Sequence, residues 1–328
     1  MLLKPQRRWL MATLMSATVT ALGLCATQAQ AQERITLVAP FPPGGPVDLL
    51  SRLLADGLQR RSGQTAWVEN LPGAAGNLGM DKVRKARPDG KTLLVVPAGN
   101  LTINPTLMPA FPFQIERDFT PITLLAKAPN VLVASPSSQL RSVADLLAHA
   151  QARPGTLAYA SPGVGSGLHL AGELFKAQTH TDLLHVPYKG TGPALTDVMG
   201  GVVPLSFANL PSALPHIRAG KLVALGLTDT VRSPIAPDIA TLAEAGVQGV
   251  VVTSWYGLLA PAHTPSAVVE AVYRDVQDIL SQPAAKEQLQ ALGLTPVAMK
   301  PADFAIHLRE ETRTWATVIR ERRISADQ

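Results

Sequence analysis

From Ile35 onward the chain alternates short β-branched runs with longer stretches of helical periodicity. The run Ile35-Thr36-Leu37-Val38-Ala39 is apolar on both faces and predicts a buried strand. A helix follows over 46–58, with proline at its first position. Strands are predicted at 66–69 and 93–96, with a helix at 78–85 between them. A strand at 131–134 precedes a helix that opens at Ser142, where Asp145 three residues on suits a cap. Further strands are expected at 157–160, 183–186, 205–208 and 222–227, with helices between, and 250–254 closes the alternation. The remainder reads as mostly helical. Thr264-Pro265 opens one helix, with Val268, Val269, Val272, Val276, Ile279 and Leu280 on a single face. Pro301 opens the last, with Phe304, Leu308, Trp315, Val318 and Ile319 inward. Repeated strand–helix units predict an α/β fold with mostly parallel sheets and right-handed crossovers. In such sheets ligands bind beyond the carboxyl ends of the strands.

Length and composition refine this picture. The 328 residues suffice for about two domains and a full core. The 28 prolines, with ordinary glycine and dispersed charge, mark many loops rather than disorder. The first residues follow a different logic. Lys4, Arg7 and Arg8 precede an uncharged stretch over 9–32, and Ala29-Gln30-Ala31 offers small residues for a signal peptidase. A secretory signal peptide cut after about Ala31 is expected, by the general route or, given Arg7-Arg8, the twin-arginine route. Export would take the protein out of the cytoplasm. Removing Lys4, Arg7 and Arg8 from 29 Lys+Arg leaves 26 against 24 Asp+Glu, so the net charge of +5 falls to +2. The single cysteine, Cys25, leaves with the same segment. A near-neutral mature chain argues against nucleic-acid binding, and one departing thiol argues against disulfide, zinc-ribbon or iron–sulfur chemistry. The charge-free stretches 92–115 and 248–269 are broken by prolines and read as non-spanning.

Two loops carry the candidate chemistry. In Phe41-Pro42-Pro43-Gly44-Gly45-Pro46-Val47-Asp48, the prolines stiffen the chain and lack N–H groups. The glycines offer free N–H groups at a helix start, where the dipole favours an anion. Asp48 reads as a cap for its own helix, and a plain strand-to-helix turn explains the segment equally well. The second loop, Ser161-Pro162-Gly163-Val164-Gly165-Ser166-Gly167, leads into a helix carrying His169. It nearly matches a dinucleotide fingerprint, but Leu168 occupies the third glycine's place. His169 reads either as a packed structural residue or as a ligand group. A weak echo links 40–48 with 187–197: each has an aromatic, glycines and a proline, and runs on to an aspartate. Lys189 beside the second copy reads as a solvated lysine. There is no Walker A motif, no Gly-x-Ser-x-Gly and no His-x-x-x-His pair. Without a catalytic constellation, binding is favoured over catalysis. No cofactor or metal is expected. Two donor-rich helix starts suggest a clamp closing on a small dicarboxylate.

An ordered series of motifs then resembles the substrate-binding proteins of tripartite tricarboxylate transporters, the Bug family of periplasmic receptors. These are 38–45 (Val-Ala-Pro-Phe-Pro-Pro-Gly-Gly), 69–79 (Glu-Asn-Leu-Pro-Gly-Ala-Ala-Gly-Asn-Leu-Gly) and Pro88-Asp89-Gly90. Further on come 165–175, His185-Val186-Pro187-Tyr188-Lys189-Gly190, 209–213 and Thr253-Ser254-Trp255-Tyr256-Gly257-Leu258. The resemblance runs from Ile35 to about Ile324. It implies a two-lobed type II periplasmic-binding-protein fold with an interdomain cleft. One domain would be formed by 32–131 with 253–328 and the other by 132–252. It also implies a small carboxylate ligand, commonly a di- or tricarboxylate, passed to integral-membrane transporter subunits by a monomeric, non-enzymatic receptor. A ligand-presenting sensor and a secreted enzyme on the same scaffold are the alternatives. The ligand contacts implied are Phe41, Gly44, Gly45, Asp48, Ala98, Asn100, Ser161, Gly165, Ser166, His169 and Asn209. Val47 and Ala208 depart from the threonine and aspartate common in the family, which implies a less polar pocket and disfavours an amino-acid ligand.

Overall fold

The computed structural model describes residues 34–321 and 324–325. The expected signal peptide, its cleavage point and Cys25 lie outside them. The first part of the chain gives β1 (Ile35–Ala39), α1 (Pro46–Ser62), β2 (Ala66–Asn70), α2 (Asn77–Arg84), β3 (Thr92–Pro97), α3 (Asn104–Leu107), α4 (Ile115–Asp118) and β4 (Phe119–Ala128). There follow β5 (Asn130–Ala134), α5 (Val143–Ala152), β6 (Leu157–Ser161), α6 (Gly167–Thr179), β7 (Leu183–Pro187), α7 (Thr191–Met199), β8 (Leu205–Asn209), α8 (Leu210–Arg218) and β9 (Val223–Leu227). The chain closes with β10 (Ser254–Pro261), α9 (Ser266–Ser281), α10 (Pro283–Ala291), β11 (Thr295–Pro296) and α11 (Pro301–Glu321).

These strands form two sheets. The first has the order β11-β4-β10-β3-β1-β2 and the second β7-β6-β8-β5-β9. Both are mixed, where the alternation predicted mostly parallel pairing. The pairs β1–β2, β1–β3, β6–β7 and β6–β8 are parallel. The pairs formed by β4, β5, β10 and β11 are antiparallel. The reason is that β4 passes into β5 through Pro129 alone, with no crossover helix. Strands that carry the chain between sheets need not return parallel.

Burial follows the strand pattern. Leu93, Leu94, Val95 and Val96 of β3 are at most 1% exposed, as a strand covered on both faces requires. Each such side chain contributes about 1.5–3 kcal/mol relative to exposure. One face of the first sheet is covered by α1, α9 and α10, through Leu50, Leu54, Val276, Ile279 and Leu289. The other face is covered by α2 and the start of α11, through Met80, Val83, Phe304 and Leu308. Gly57 lets α1 and α9 approach closely, since a methyl there would lie 2.7 Å from Ile279. The far end of α11 behaves differently: Trp315 and Ile319 join Ile103 and Leu107 in the apolar cluster of the second sheet. Glu311 fixes this helix, accepting from the indole N–H groups of Trp255 at 2.7 Å and Trp315 at 3.1 Å.

Three strands differ from the sequence expectation, one of them the short β11 in a stretch read as helical. Residues 250–253 are irregular, and the strand begins at Ser254. The ten-residue β4 was not expected, because Pro121 and Lys127 interrupt its apolar run. Pro121 is tolerated because it pairs with Leu259 beside a register shift in the β4–β10 ladder, where a missing N–H costs little. Among the described residues no helix is long and apolar enough to cross a membrane.

Candidate functional site

The loops that follow β1, β2 and β3 leave the same end of the first sheet, because these strands are parallel. Those after β6, β7 and β8 share one end of the second. The two sets meet at Gly99 and Gly165. A methyl group on Gly99 would lie 2.5 Å from the Gly165 carbonyl oxygen, so backbone faces backbone across the seam.

In the β1–α1 loop, Gly44 has φ +92°, a conformation open chiefly to glycine. Gly45 is the helix N-cap, and Pro46 opens α1. Asp48 does not cap the helix as expected. Its Oδ2 accepts the Gly44 N–H at 3.0 Å, one residue before the cap. Asn70 donates to Oδ1 at 3.0 Å, and Arg52 pairs with the same carboxylate. Gly44 therefore does not present the free N–H expected of it, and Asp48 (3% exposed) serves as a staple inside the loop. Burial alone would raise the Asp48 pKa, but Arg52, the Gly44 N–H and Asn70 outweigh it and hold the carboxyl below its usual value. The negative charge in this first turn opposes anion binding at α1. By contrast, α6 has no acidic residue in its first turn. Of the two expected anion sites, α6 offers the more open dipole.

Phe41 and Asn100 come together around the β2–α2 loop. A methyl on Gly76 would lie 3.0 Å from Asn100 Nδ2 and 3.3 Å from Phe41 Cζ. Asn100 donates to the Ala75 carbonyl at 2.7 Å, and Ala98 is buried beside it, accepting from Thr102. Four successive residues have positive φ: Gly73 (+144°), Ala74 (+46°), Ala75 (+55°) and Gly76 (+94°). For the alanines this costs about 1–3 kcal/mol each, and such strain clusters at binding sites. Asn77 Oδ1, at the end of this loop, is buried without a hydrogen-bond partner. None of the site residues expected from sequence lies in this motif, although its glycine–alanine density was the available signal.

On the second sheet, Ser166 caps α6: its hydroxyl accepts the His169 N–H at 3.1 Å and donates to the Gly163 carbonyl at 2.7 Å. Ser161 is fully buried, 2.7 Å from His185 Nε2, and accepts the Gly163 N–H. Both serines thus shape the loop. The His185 ring lies between Tyr159 and His169, with centroids 4.9 and 4.2 Å away. Sequence reasoning passed over this histidine as a site residue, though it stands in the His-Val-Pro-Tyr-Lys-Gly motif. Burial, with His185 and Lys176 nearby, pushes the His169 pKa down to about 3, so its ring is neutral. The Gly165 N–H donates to His169 Nδ1 at 3.3 Å, which leaves the ring proton on Nε2. That Nε2 is buried without a partner.

Asn209 stands apart from this group. Its Nδ2 donates to Asn130 Oδ1 and to Ser254 Oγ, both at 2.9 Å. Ser254 in turn donates to Asn130 Oδ1 at 2.8 Å, and Asn130 donates to the Val252 carbonyl at 2.8 Å. Asn209 thus sits where both connections between the sheets pass. The echoed loops behave alike: as Asp48 staples the first, Asp197 accepts the Tyr188 hydroxyl at 2.7 Å in the second. Burial and that aspartate push the Tyr188 pKa up to about 12.

Comparison with known proteins places the chain in a family. The model of the tripartite tricarboxylate transporter family receptor matches residues 50–324. BugT of Bordetella pertussis is 38% identical over 288 residues, covering 88% of each chain. The structure of R. palustris Rpa4515 with adipate is 35% identical with a TM-score of 0.84, covering 89% of this chain and 98% of that one. The periplasmic binding protein BugD is 30% identical with a TM-score of 0.82, at the same coverage of 89% and 98%.

Proposed function

This chain belongs to the tripartite tricarboxylate transporter receptor family, and from that premise we propose that it is a periplasmic receptor for a small di- or tricarboxylate. The ligand would be held between the loops of the two sheets and handed to integral-membrane transporter subunits. One observation carries this reading: the loops at the carboxyl ends of β1, β2, β3 and β6 converge on the Gly99–Gly165 seam. There the start of α6 and the neutral His169 offer donors suited to a carboxylate. Adipate, seen with Rpa4515, is a ligand of the expected class. Of the site residues, Phe41, Gly45, Ala98, Asn100, Gly165 and His169 form the contact region. Asp48, Gly44, Ser161 and Ser166 hold the loops in shape, and Asn209 acts at the hinge. The lobes would follow the expected 32–131 with 253–328, and 132–252, with the first boundary moved back to Pro129 because Asn130 and Val131 pair with β8 in the second sheet.

A thermal-shift series with adipate, malate and citrate tests the reading. At 100 times its dissociation constant a ligand adds about 2.7 kcal/mol of stability, a shift of several degrees. Absence of any shift with all three would count against carboxylate binding.

A further inference from the structure

The chain passes between the sheets twice, at Pro129 and at Thr253. Polar side chains flank both crossings. On the second-sheet side, Asn130 of β5 stands opposite Asn209 of β8. On the first-sheet side, Ser254 of β10 stands opposite Ala128 of β4. Ser254 Oγ is therefore a first-sheet group with two partners in the second sheet. It accepts from Asn209 Nδ2 at 2.9 Å and donates to Asn130 Oδ1 at 2.8 Å, and Nδ2 and Oδ1 are themselves 2.9 Å apart. Asn130 is fully buried and Asn209 is 6% exposed. Each asparagine is also tied at its other end. Asn130 Nδ2 donates to the Val252 carbonyl at 2.8 Å, and Asn209 Oδ1 accepts the Thr191 hydroxyl, at the start of α7, at 3.3 Å. The two amides are thus anchored in the second sheet and do not travel with Ser254. Hydrogen bonds weaken steeply with distance and misalignment, so a triangle of three short contacts is satisfied at one angle between the sheets. In this structure that angle is the one at which the loops meet at Gly99 and Gly165.

We propose that Ser254 is a positioning residue for ligand capture: its hydroxyl, held by Asn130 and Asn209, sets the angle between the sheets at which the ligand loops close. This rests on the carboxylate-receptor reading and deepens it. It also gives Asn209 a part in binding without contact, since its amide is engaged at both ends and acts on the ligand through the angle it helps to fix.

The test uses the wild type, Ser254→Ala and Ser254→Thr. Affinity for adipate, malate and citrate is measured by calorimetry, contraction on ligand addition by small-angle scattering, and ligand-free Tm alongside. Ser254→Ala leaves Asn130 and Asn209 bonded to each other, so its ligand-free Tm should stay close to that of the wild type. Loss of one ordinary hydrogen bond from the closed arrangement should weaken the carboxylate that the wild type binds by about three- to tenfold and reduce the contraction. Ser254→Thr keeps the hydroxyl and should restore both. Wild-type affinity in Ser254→Ala would overturn the assignment. So would a Ser254→Thr as weak as Ser254→Ala, or a weakened Ser254→Ala that contracts as fully as the wild type. If the wild type itself binds none of the three, the receptor reading fails before any variant is compared, and this inference fails with it.

Discussion

Gly99→Ala puts the seam between the sheets under direct test. The added methyl would sit 2.5 Å from the Gly165 carbonyl oxygen and 3.4 Å from the Ser166 Cα. Restoring an ordinary van der Waals separation of about 3.5 Å requires the loops to part by roughly 1 Å. The obstacle is backbone, which cannot swing aside as a side-chain tip would. Overpacking of this kind costs about 1–3 kcal/mol. Gly99 lies in a helical turn with no positive φ, so alanine adds no backbone strain of its own. The cost falls on the closed arrangement alone, and affinity for whichever carboxylate stabilises the wild type should drop about 5–150-fold. Ligand-free Tm should stay near that of the wild type, and small-angle scattering should show a smaller contraction on adding that carboxylate. Gly192→Ala is the control: it lies outside the contact region, a methyl there meets nothing within 4 Å, and its φ is not positive. Unchanged affinity in Gly99→Ala would refute the view that closure brings these glycines together. A large fall in ligand-free Tm would instead show that the seam is closed without ligand.

Two further predictions concern charge. Asp48→Ala leaves the Gly44 N–H and the Asn70 amide without their acceptor, and urea titration should show a loss of about 1–3 kcal/mol. Because the Asp48 pKa is lowered on folding, its contribution is present above the unfolded value of about 3.9 and is lost as pH falls through the folded value. The variant's acid-unfolding limb should therefore be shallower, and an identical limb would contradict the staple. His169, neutral when folded with a pKa of about 3, takes up its proton near pH 6.5 only when unfolded. Stability should fall as pH drops from about 6.5 toward 3, and His169→Phe should remove much of that slope in Tm measured against pH.

All five strands of the second sheet, and β1, β2 and β3 of the first, were legible as short, largely apolar runs between helical patterns. The cap at Ser142 was legible too, since Ser142 Oγ accepts the Asp145 N–H. What escaped was set by distant partners. β4 carries Pro121 and Lys127, and only its pairing with β10, more than a hundred residues on, makes a strand of it. The donors expected at Gly44 looked free because no local pattern shows that Asp48 turns back to take one of them. The place of Asn209 between the two connections depends on Asn130 and Ser254, and the contact of Asn104 with Gly165 depends on the meeting of two sheets. Local periodicity cannot carry such information.

The bond from Asn130 Nδ2 to the Val252 carbonyl has a consequence beyond the hinge. The chain enters the second sheet at Asn130 and leaves it past Val252, so the two ends of that whole segment are neighbours. In engineering terms the second sheet with its helices is a cassette whose two ends share one clasp, with Trp315 and Ile319 of α11 as the packing it must also keep. A short linker would span its ends, and a relative's segment of different ligand preference could be exchanged at Pro129 and Thr253 without redirecting the chain of the first sheet.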